Sequence, residues 1–165
     1  MKKLNRFLIF TMCVLLFTGC GKMTGTEEGP FVYYLNKDAT SIAAVPVNIT
    51  GDGPEIKVEE YLAKLEEVPE DVGLRRTIPE NVQILSYTLD RKQLYLDFSS
   101  EYLNMDKATE VLVRAALVKT MVQVEEVSYV GIRVAGESIK DTKGNLIGLM
   151  NENTFLDNMG SEENA

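Results

Sequence analysis

Side chains alternate with a period of two along two runs in the middle of the chain, separated by the polar residues 90–92. A period of two is typical of half-buried β-strands, and a short polar segment between two such runs predicts a turn. The sequence therefore predicts a β-hairpin. Its second strand has Asp97 on one side and, on the side that faces the core, Leu94, Leu96 and Phe98.

Two other segments follow helical spacing. The first starts at Pro54, which a helix tolerates in its first turn, and stops before Pro69. The second runs from Asp106 to Gln123, with Asp106 predicted as its N-cap. Apolar residues occupy most faces of this second helix, so it is predicted to be largely buried, with Arg114 and Lys119 reaching solvent.

Further strands are predicted at Pro30–Asn36, Ser41–Ile49 and Val127–Val134. Because Pro46 cannot donate a ladder hydrogen bond, the second of these is expected at an edge of the sheet or broken there. Residues 138–150 predict a small C-terminal hairpin. The order β-β-α-β-β-α-β predicts an α+β fold: a mostly antiparallel sheet with two main helices packed on one face.

The N-terminus has a different pattern. Three basic residues precede a short apolar run, which ends in Leu16-Phe17-Thr18-Gly19-Cys20. The apolar run is shorter than the roughly 20 residues of a transmembrane helix, so residues 1–19 are predicted to be a secretory signal peptide. Its end resembles a bacterial lipobox, which implies that Cys20 is the lipidation site, carrying acyl chains such as palmitate. The alternative is a plain signal peptide with a coincidental cysteine.

The domain organisation follows from composition. Residues 20–29 are polar and glycine-rich, which predicts a flexible tether, residues 30–158 are predicted to be one folded domain, and residues 159–165 an acidic, disordered tail. A nine-residue tether after Cys20 reaches at most roughly 30 Å. The domain is therefore expected close to the cell membrane, lipid-anchored on its extracytoplasmic face.

Charge and residue usage exclude several functions. The chain has 17 basic and 25 acidic residues; Lys2, Lys3 and Arg6 leave with the leader, so 14 basic residues remain and the net charge is −11. A nucleic-acid partner would require the opposite sign. The mature chain has no histidine, its one cysteine, Cys20, is expected to be acylated and so leaves no free thiol, and phosphate-binding glycine motifs are absent. No cofactor and no metal are expected.

One order of motifs resembles a known family. Ile78-Pro79-Glu80 precedes the hairpin, the segment 96–102 (LDFSSEY) follows it, and a long apolar helix and a valine-rich strand come next. This order, from about Phe31 to Gly136, is similar to the GerMN domain of sporulation and spore germination proteins, here in a single copy. The resemblance implies an interaction module without assigned catalysis, in a fold likened to the small ring-building modules of secretion-type assemblies.

The hairpin exit contains the polar cluster singled out as a candidate binding site: Asp97, Ser99, Ser100 and Glu101. With Asp106, it could supply a carboxylate pair for hydrolysis or oxygen ligands for a hard cation. Alternatively, these residues bond exposed amides in a strand-to-helix turn. The acidic run 66–71 is interpreted as a solvated edge.

Two functions from different classes follow. The favoured one is a non-enzymatic, lipid-anchored module that docks onto envelope or sporulation-complex proteins, with the bilayer as its second partner through Cys20. The alternative is a peptidoglycan hydrolase or glycan-binding module that uses acidic residues near Asp97. Wall fragments could also stack on a set of aromatic residues, namely Tyr33, Tyr34, Tyr87 and Tyr95.

Overall fold

The computed structural model describes residues 29–155, which form two sheets, two α-helices and two short 3-10 helices. The predicted signal peptide, Cys20, residues 20–28 of the tether and the tail lie outside the described residues. The elements in chain order are β1 Phe31–Asn36, β2 Ile42–Pro46, α1 Pro54–Glu66, β3 Leu74–Arg75, β4 Ile84–Asp90, β5 Gln93–Phe98, a 3-10 helix Ser100–Asn104, α2 Lys107–Met121, β6 Tyr129–Val134, β7 Glu137–Ser138 and a 3-10 helix Glu152–Phe155.

The predicted α+β class and the order of the main elements are confirmed. The strands differ from the prediction in their distribution, because they form two sheets with orders β2-β1-β3 and β4-β5-β6-β7. All pairs are antiparallel except β5 and β6, which are parallel. A helix connects those two strands, and such a crossover returns the chain to the end of the sheet at which it started.

Strand β3 pairs with only the last two residues of β1, and polar side chains bond the rest of that edge of β1. The backbone of Phe31 bonds the side chain of Gln123, just after α2, and the Tyr33 amide donates to Thr120 Oγ1 at 3.1 Å. The carbonyl of the same residue, Tyr33, accepts a hydrogen bond of 2.7 Å from Thr77 Oγ1. Polar side chains therefore satisfy backbone groups that a further strand would otherwise pair.

The central hairpin is as predicted. Strands β4 and β5 pair through a two-residue turn at Arg91 and Lys92, and Leu94, Leu96 and Phe98 are fully buried. Asp97 lies on the opposite face of β5, as its position in the alternation requires.

Both helices begin where the sequence predicts. Pro54 occupies the first turn of α1, and the Thr109 amide donates to Asp106 Oδ1 at 2.9 Å, which confirms Asp106 as the N-cap of α2. The core forms mainly between α2, the inner face of β5 and β6, and α1. No helix within residues 29–155 is long and apolar enough to cross a bilayer.

Strand β2 is an edge strand, as Pro46 predicts. Its neighbour Val47 donates to the Pro30 carbonyl at 2.9 Å, so the alternation of an antiparallel ladder directs the Pro46 nitrogen away from β1. The C-terminal hairpin is also confirmed, since Lys140 and Leu146 form an antiparallel bridge around the turn that begins at Asp141.

Candidate binding surfaces

Asp97 holds a turn on the outer face of the second sheet. Its Oδ1 accepts a hydrogen bond of 2.9 Å from the Gly136 amide, in the tight turn between β6 and β7. Ala135 and Gly136 both have positive φ there, at 50° and 84°. The carboxylate thus stabilises a turn whose backbone is conformationally demanding.

Ser99 extends the pairing of the hairpin. Its Oγ accepts from the Gln83 amide at 3.1 Å, while its own amide donates to the Gln83 carbonyl at 2.9 Å. Ser100 and Glu101 begin the following 3-10 helix. The Ser99 hydroxyl and the Glu101 amide lower the pKa of the Glu101 carboxyl, because both hydrogen-bond its charged form.

These contacts are the ones expected of a structural strand-to-helix turn: Asp97 bonds the turn after β6, whereas Ser99 bonds Gln83 just before β4. Asp106, the fifth member of the cluster, is engaged as a helix cap. Within residues 29–155, no three acidic or cysteine side chains lie where they could hold a metal ion together. Binding at Asp97, Ser99, Ser100 and Glu101 stays a prediction.

Around Asp97, the outer face of the second sheet carries a stacked cation. The guanidinium carbon of Arg133 lies 4.3 Å from the centroid of the Tyr95 ring. The same ring covers Gly131, where an added Cβ would approach Tyr95 Cδ1 to 2.7 Å. The Tyr95 hydroxyl donates to Gln93 Oε1 at 3.2 Å. This face offers an aromatic and cationic surface, and the alternation pattern of β6 gives no sign that Arg133 stacks on Tyr95.

The other tyrosines of the predicted aromatic set lie in separate environments. Tyr34 is buried against α1 and donates to the Lys64 carbonyl at 2.9 Å. Its neighbour Tyr33 lies on the opposite face of β1, where Lys119 Nζ is 5.6 Å from the centroid of its ring. Tyr87 is on the inner face of the second sheet and donates to Glu59 Oε1 at 2.9 Å. The four rings therefore do not share one stacking platform.

Arg114 is not solvated, so its predicted exposure is wrong. Its side chain is 13% exposed and its Nε lies 3.0 Å from Glu110 Oε1, one helical turn away, whose side chain is 11% exposed. Tyr102 donates to the same Glu110 oxygen at 3.2 Å. Burial first, and the Glu110 charge second, raise the pKa of Tyr102 well above its usual value. The i, i+4 spacing of Glu110 and Arg114 is the sequence signal that could have revealed this pair.

A concave surface of about 570 Å³ lies between the end of β2 and the segment after α1. We call it the β2–α1 groove. Its lining is mostly apolar on the strand side and acidic on the loop side, and it comprises Tyr34, Val45, Pro46, Val47, Asn48, Lys64, Glu67, Val68, Pro69, Glu70 and Asp71. From the sequence, the acidic run is predicted only as a solvated edge, because the apolar wall opposite it comes from a segment about 20 residues earlier in the chain.

A family model described as "Germane: Sporulation and spore germination" matches residues 31–140. The chain belongs to this family. The match confirms the resemblance predicted from the motifs around the hairpin, and its span agrees with the predicted start near Phe31 and end near Gly136. No curated protein is a significant match to the Germane chain.

Solved structures share its fold. The tandem GerMN domains of the sporulation protein GerM from Bacillus subtilis align with a TM-score of 0.57 at 18% identity, over 72% of this chain and 43% of that one. The first GerMN domain of the same protein aligns with a TM-score of 0.54 at 18% identity, over 72% of this chain and 93% of that structure. The Germane chain thus spans less than half of the tandem structure and nearly all of the single domain.

A third structure is that of a protein from Clostridium perfringens that is provisionally described as a lipoprotein. It aligns with a TM-score of 0.52 at 18% identity, over 74% of this chain and 85% of that chain. At 18% identity these likenesses establish the fold alone, and the matched part of this chain corresponds to one copy of the domain.

Proposed function

We propose that this Germane protein is a lipid-anchored module on the extracytoplasmic face of the cell membrane, where it docks onto proteins of an envelope complex connected with sporulation or spore germination. The observation that carries the proposal is the family match over residues 31–140, whose description is sporulation and spore germination. The module acts by contact rather than by catalysis.

The anchor is Cys20. A basic start, a short apolar run and a small residue directly before the cysteine support lipidation at this position. The provisional description of the Clostridium perfringens structure as a lipoprotein agrees with it. Two or more acyl chains hold a protein stably on a bilayer, whereas one chain binds only marginally.

The contacts of the polar residues favour docking over hydrolysis. A glycosidase needs two carboxyl groups about 5–10 Å apart, facing the same bond and free to exchange protons. Asp97 instead bonds the Gly136 amide, and Asp106 bonds the Thr109 amide. Their hydrogen bonds stabilise a turn and a helix end, which are structural tasks.

Metabolic labelling with a fatty-acid analogue tests the anchor. Label is expected on the wild type and on the leader variant Cys13→Ser, and it should be lost in Cys20→Ala, which would appear in the medium or as unprocessed precursor. Label retained by Cys20→Ala would contradict the anchor.

In-cell crosslinking of the full-length protein tests the docking role. Adducts with envelope proteins are expected, and they should increase or change partner between vegetative and sporulating cells. Purified protein that releases fragments from peptidoglycan, with the activity lost in Asp97→Ala, would replace docking by the hydrolase.

A further inference from the structure

The β2–α1 groove combines exposed apolar surface with uncompensated negative charge. Val68, which follows α1 and lines the groove, is 75% exposed. The floor continues through Val45 on β2 and Val47 just after it, and both side chains are only partly exposed. Such a surface loses unfavourable hydration when a partner covers it.

The edge of β2 that borders the groove can accept an extended segment. Asn36 donates to the Ser41 carbonyl, and Val47 donates to the Pro30 carbonyl. Because alternate residues of an antiparallel strand bond the same neighbour, Ile42, Ala44 and Pro46 direct their backbone groups away from β1. Proline lacks an amide hydrogen but keeps its carbonyl acceptor. The edge therefore offers one donor fewer to a partner strand, but it can still pair with one.

The charge of the rim determines which segment fits. Lys64, the one basic residue of the lining, is paired with Glu67 at 2.8 Å. Asp71 Oδ1 accepts from the Gly73 amide at 2.7 Å, and Asp71 and Glu70 are both exposed carboxylates. The rim therefore attracts Lys or Arg and repels acidic segments. The last ten residues of this sequence, 156–165, have three acidic residues and no basic one, so this segment is a poor occupant.

We propose that the β2–α1 groove binds an extended segment of a partner protein in which Lys or Arg alternates with apolar residues. The apolar side chains lie on Val45, Val47 and Val68, and the basic ones reach Glu70 and Asp71. Alternate side chains of an extended chain point in opposite directions, which suits one apolar wall and one acidic rim. This inference rests on the proposed docking function and gives it a location and a partner chemistry.

Photo-crosslinking from defined positions in the full-length protein tests it in cells. Benzoylphenylalanine replaces Val68 in one variant and Leu146 in the control; Leu146 is 68% exposed and lies in the C-terminal hairpin. An adduct is expected from position 68, and mass spectrometry of the crosslinked peptide should give a segment with Lys or Arg between apolar residues.

Charge substitutions separate the groove from the rest of the acidic surface. In the position-68 variant, Glu70→Lys is expected to lower the adduct yield by about 10-fold, because a like charge then faces the basic segment. Glu70→Gln should give an intermediate yield. The matched control Glu126→Lys changes an exposed carboxylate outside the groove lining and should leave the yield unchanged. Immunoblots check that the variants are present in equal amounts, and circular dichroism of the purified variants checks that they fold.

The outcomes distinguish this inference from the proposed function. An acidic crosslinked segment, a segment of this same chain, or a yield that Glu70→Lys does not change would overturn the groove proposal. Adducts with an envelope protein from position 146 and none from position 68 would overturn it too, while leaving the docking function intact. Absence of any adduct from both positions would overturn the groove proposal, and the crosslinking of the full-length protein would then decide the docking function separately.

Discussion

Phe31 and Gln123, 92 residues apart in the chain, exchange two hydrogen bonds: the Phe31 amide donates to Gln123 Oε1 at 2.8 Å, and Gln123 Nε2 donates to the Phe31 carbonyl at 2.7 Å. A side-chain amide carries the same donor and acceptor as a peptide group, so it can stand in for a paired strand residue. Three residues before Gln123, in α2, Thr120 Oγ1 accepts a hydrogen bond from the Tyr33 amide. This arrangement ends the first sheet at β1 along much of its length.

Thr120→Val is expected to destabilise the fold by about 1–3 kcal/mol, because Thr120 is fully buried and its loss leaves the Tyr33 amide without an acceptor. Chemical denaturation of the purified chain, followed by circular dichroism, measures the change. Thr120→Ser is the control, since it keeps the hydroxyl and loses only a methyl group. If the valine variant were as stable as the serine variant, the hydroxyl would have no role in holding β1.

Local patterns predicted the hairpin, both helix starts and the Asp106 cap, because each depends on residues within a few positions of one another. The division into two sheets was not predictable in this way. It depends on Gln123 and Thr120 meeting the edge of β1, and nothing in the helical periodicity of α2 distinguishes these two polar residues from solvated ones. The parallel pairing of β5 and β6 likewise follows from the path of α2 rather than from either strand.

The hairpin turn is strained, and relieving it is expected to stabilise the protein. Arg91 and Lys92 have φ of 48° and 67°, as a two-residue turn of the primed type requires, yet neither is a residue that favours positive φ. Replacing the pair with Asn-Gly should raise the free energy of unfolding by about 1 kcal/mol. The Lys92 carbonyl, which accepts from Ser128 and Tyr129, is kept by glycine.

An Ala-Ala pair at the same positions serves as the control, since it removes the two charges without favouring positive φ. Thermal unfolding of the three proteins should therefore show a higher melting temperature only for Asn-Gly. An equal gain with Ala-Ala would attribute the effect to the charges instead.

Removing only one partner of the Glu110–Arg114 ion pair is expected to lower the free energy of unfolding. Arg114→Met leaves the Glu110 carboxylate about nine-tenths buried without its cation, which should lower stability by about 3 kcal/mol. The double variant Glu110→Gln/Arg114→Met removes both charges and should recover part of the loss. A double-mutant cycle measured by denaturation gives the coupling, and additive single effects would show that the pair contributes nothing.

The candidate site residues, too, were predictable where their partners are near in sequence and not where their partners are distant. Ser99, Asp97 and Asp106 were correctly placed at a strand-to-helix exit, but the alternation pattern could not show that Asp97 bonds Gly136, 39 residues later. The acidic loop of the β2–α1 groove was visible in the sequence, whereas its apolar wall depends on how β2 packs beside α1. Arg114 was assigned to solvent because periodicity alone ranks any charged helix residue as exposed.

The Asp106 cap gives the fold a component of acid sensitivity. The Thr109 amide, then the Thr109 hydroxyl, lower the pKa of the Asp106 carboxyl below its usual 3.8. A group whose pKa is lower in the folded state stabilises the fold above its unfolded pKa, and this contribution is lost as pH falls through the folded pKa. We therefore expect Asp106 to contribute fully near neutral pH and to lose its contribution below about pH 4.

Asp106→Asn isolates this contribution, because an asparagine oxygen accepts from the Thr109 amide at every pH. The stability advantage of the wild type over Asp106→Asn should shrink between about pH 6 and pH 2, as followed by denaturation at each pH. Glu126→Gln, which has no part in the cap, should keep the shape of the wild-type profile. A constant difference between wild type and Asp106→Asn across this range would mean that the charge of Asp106 adds nothing to its hydrogen bond, and that the interaction with the helix dipole is negligible here.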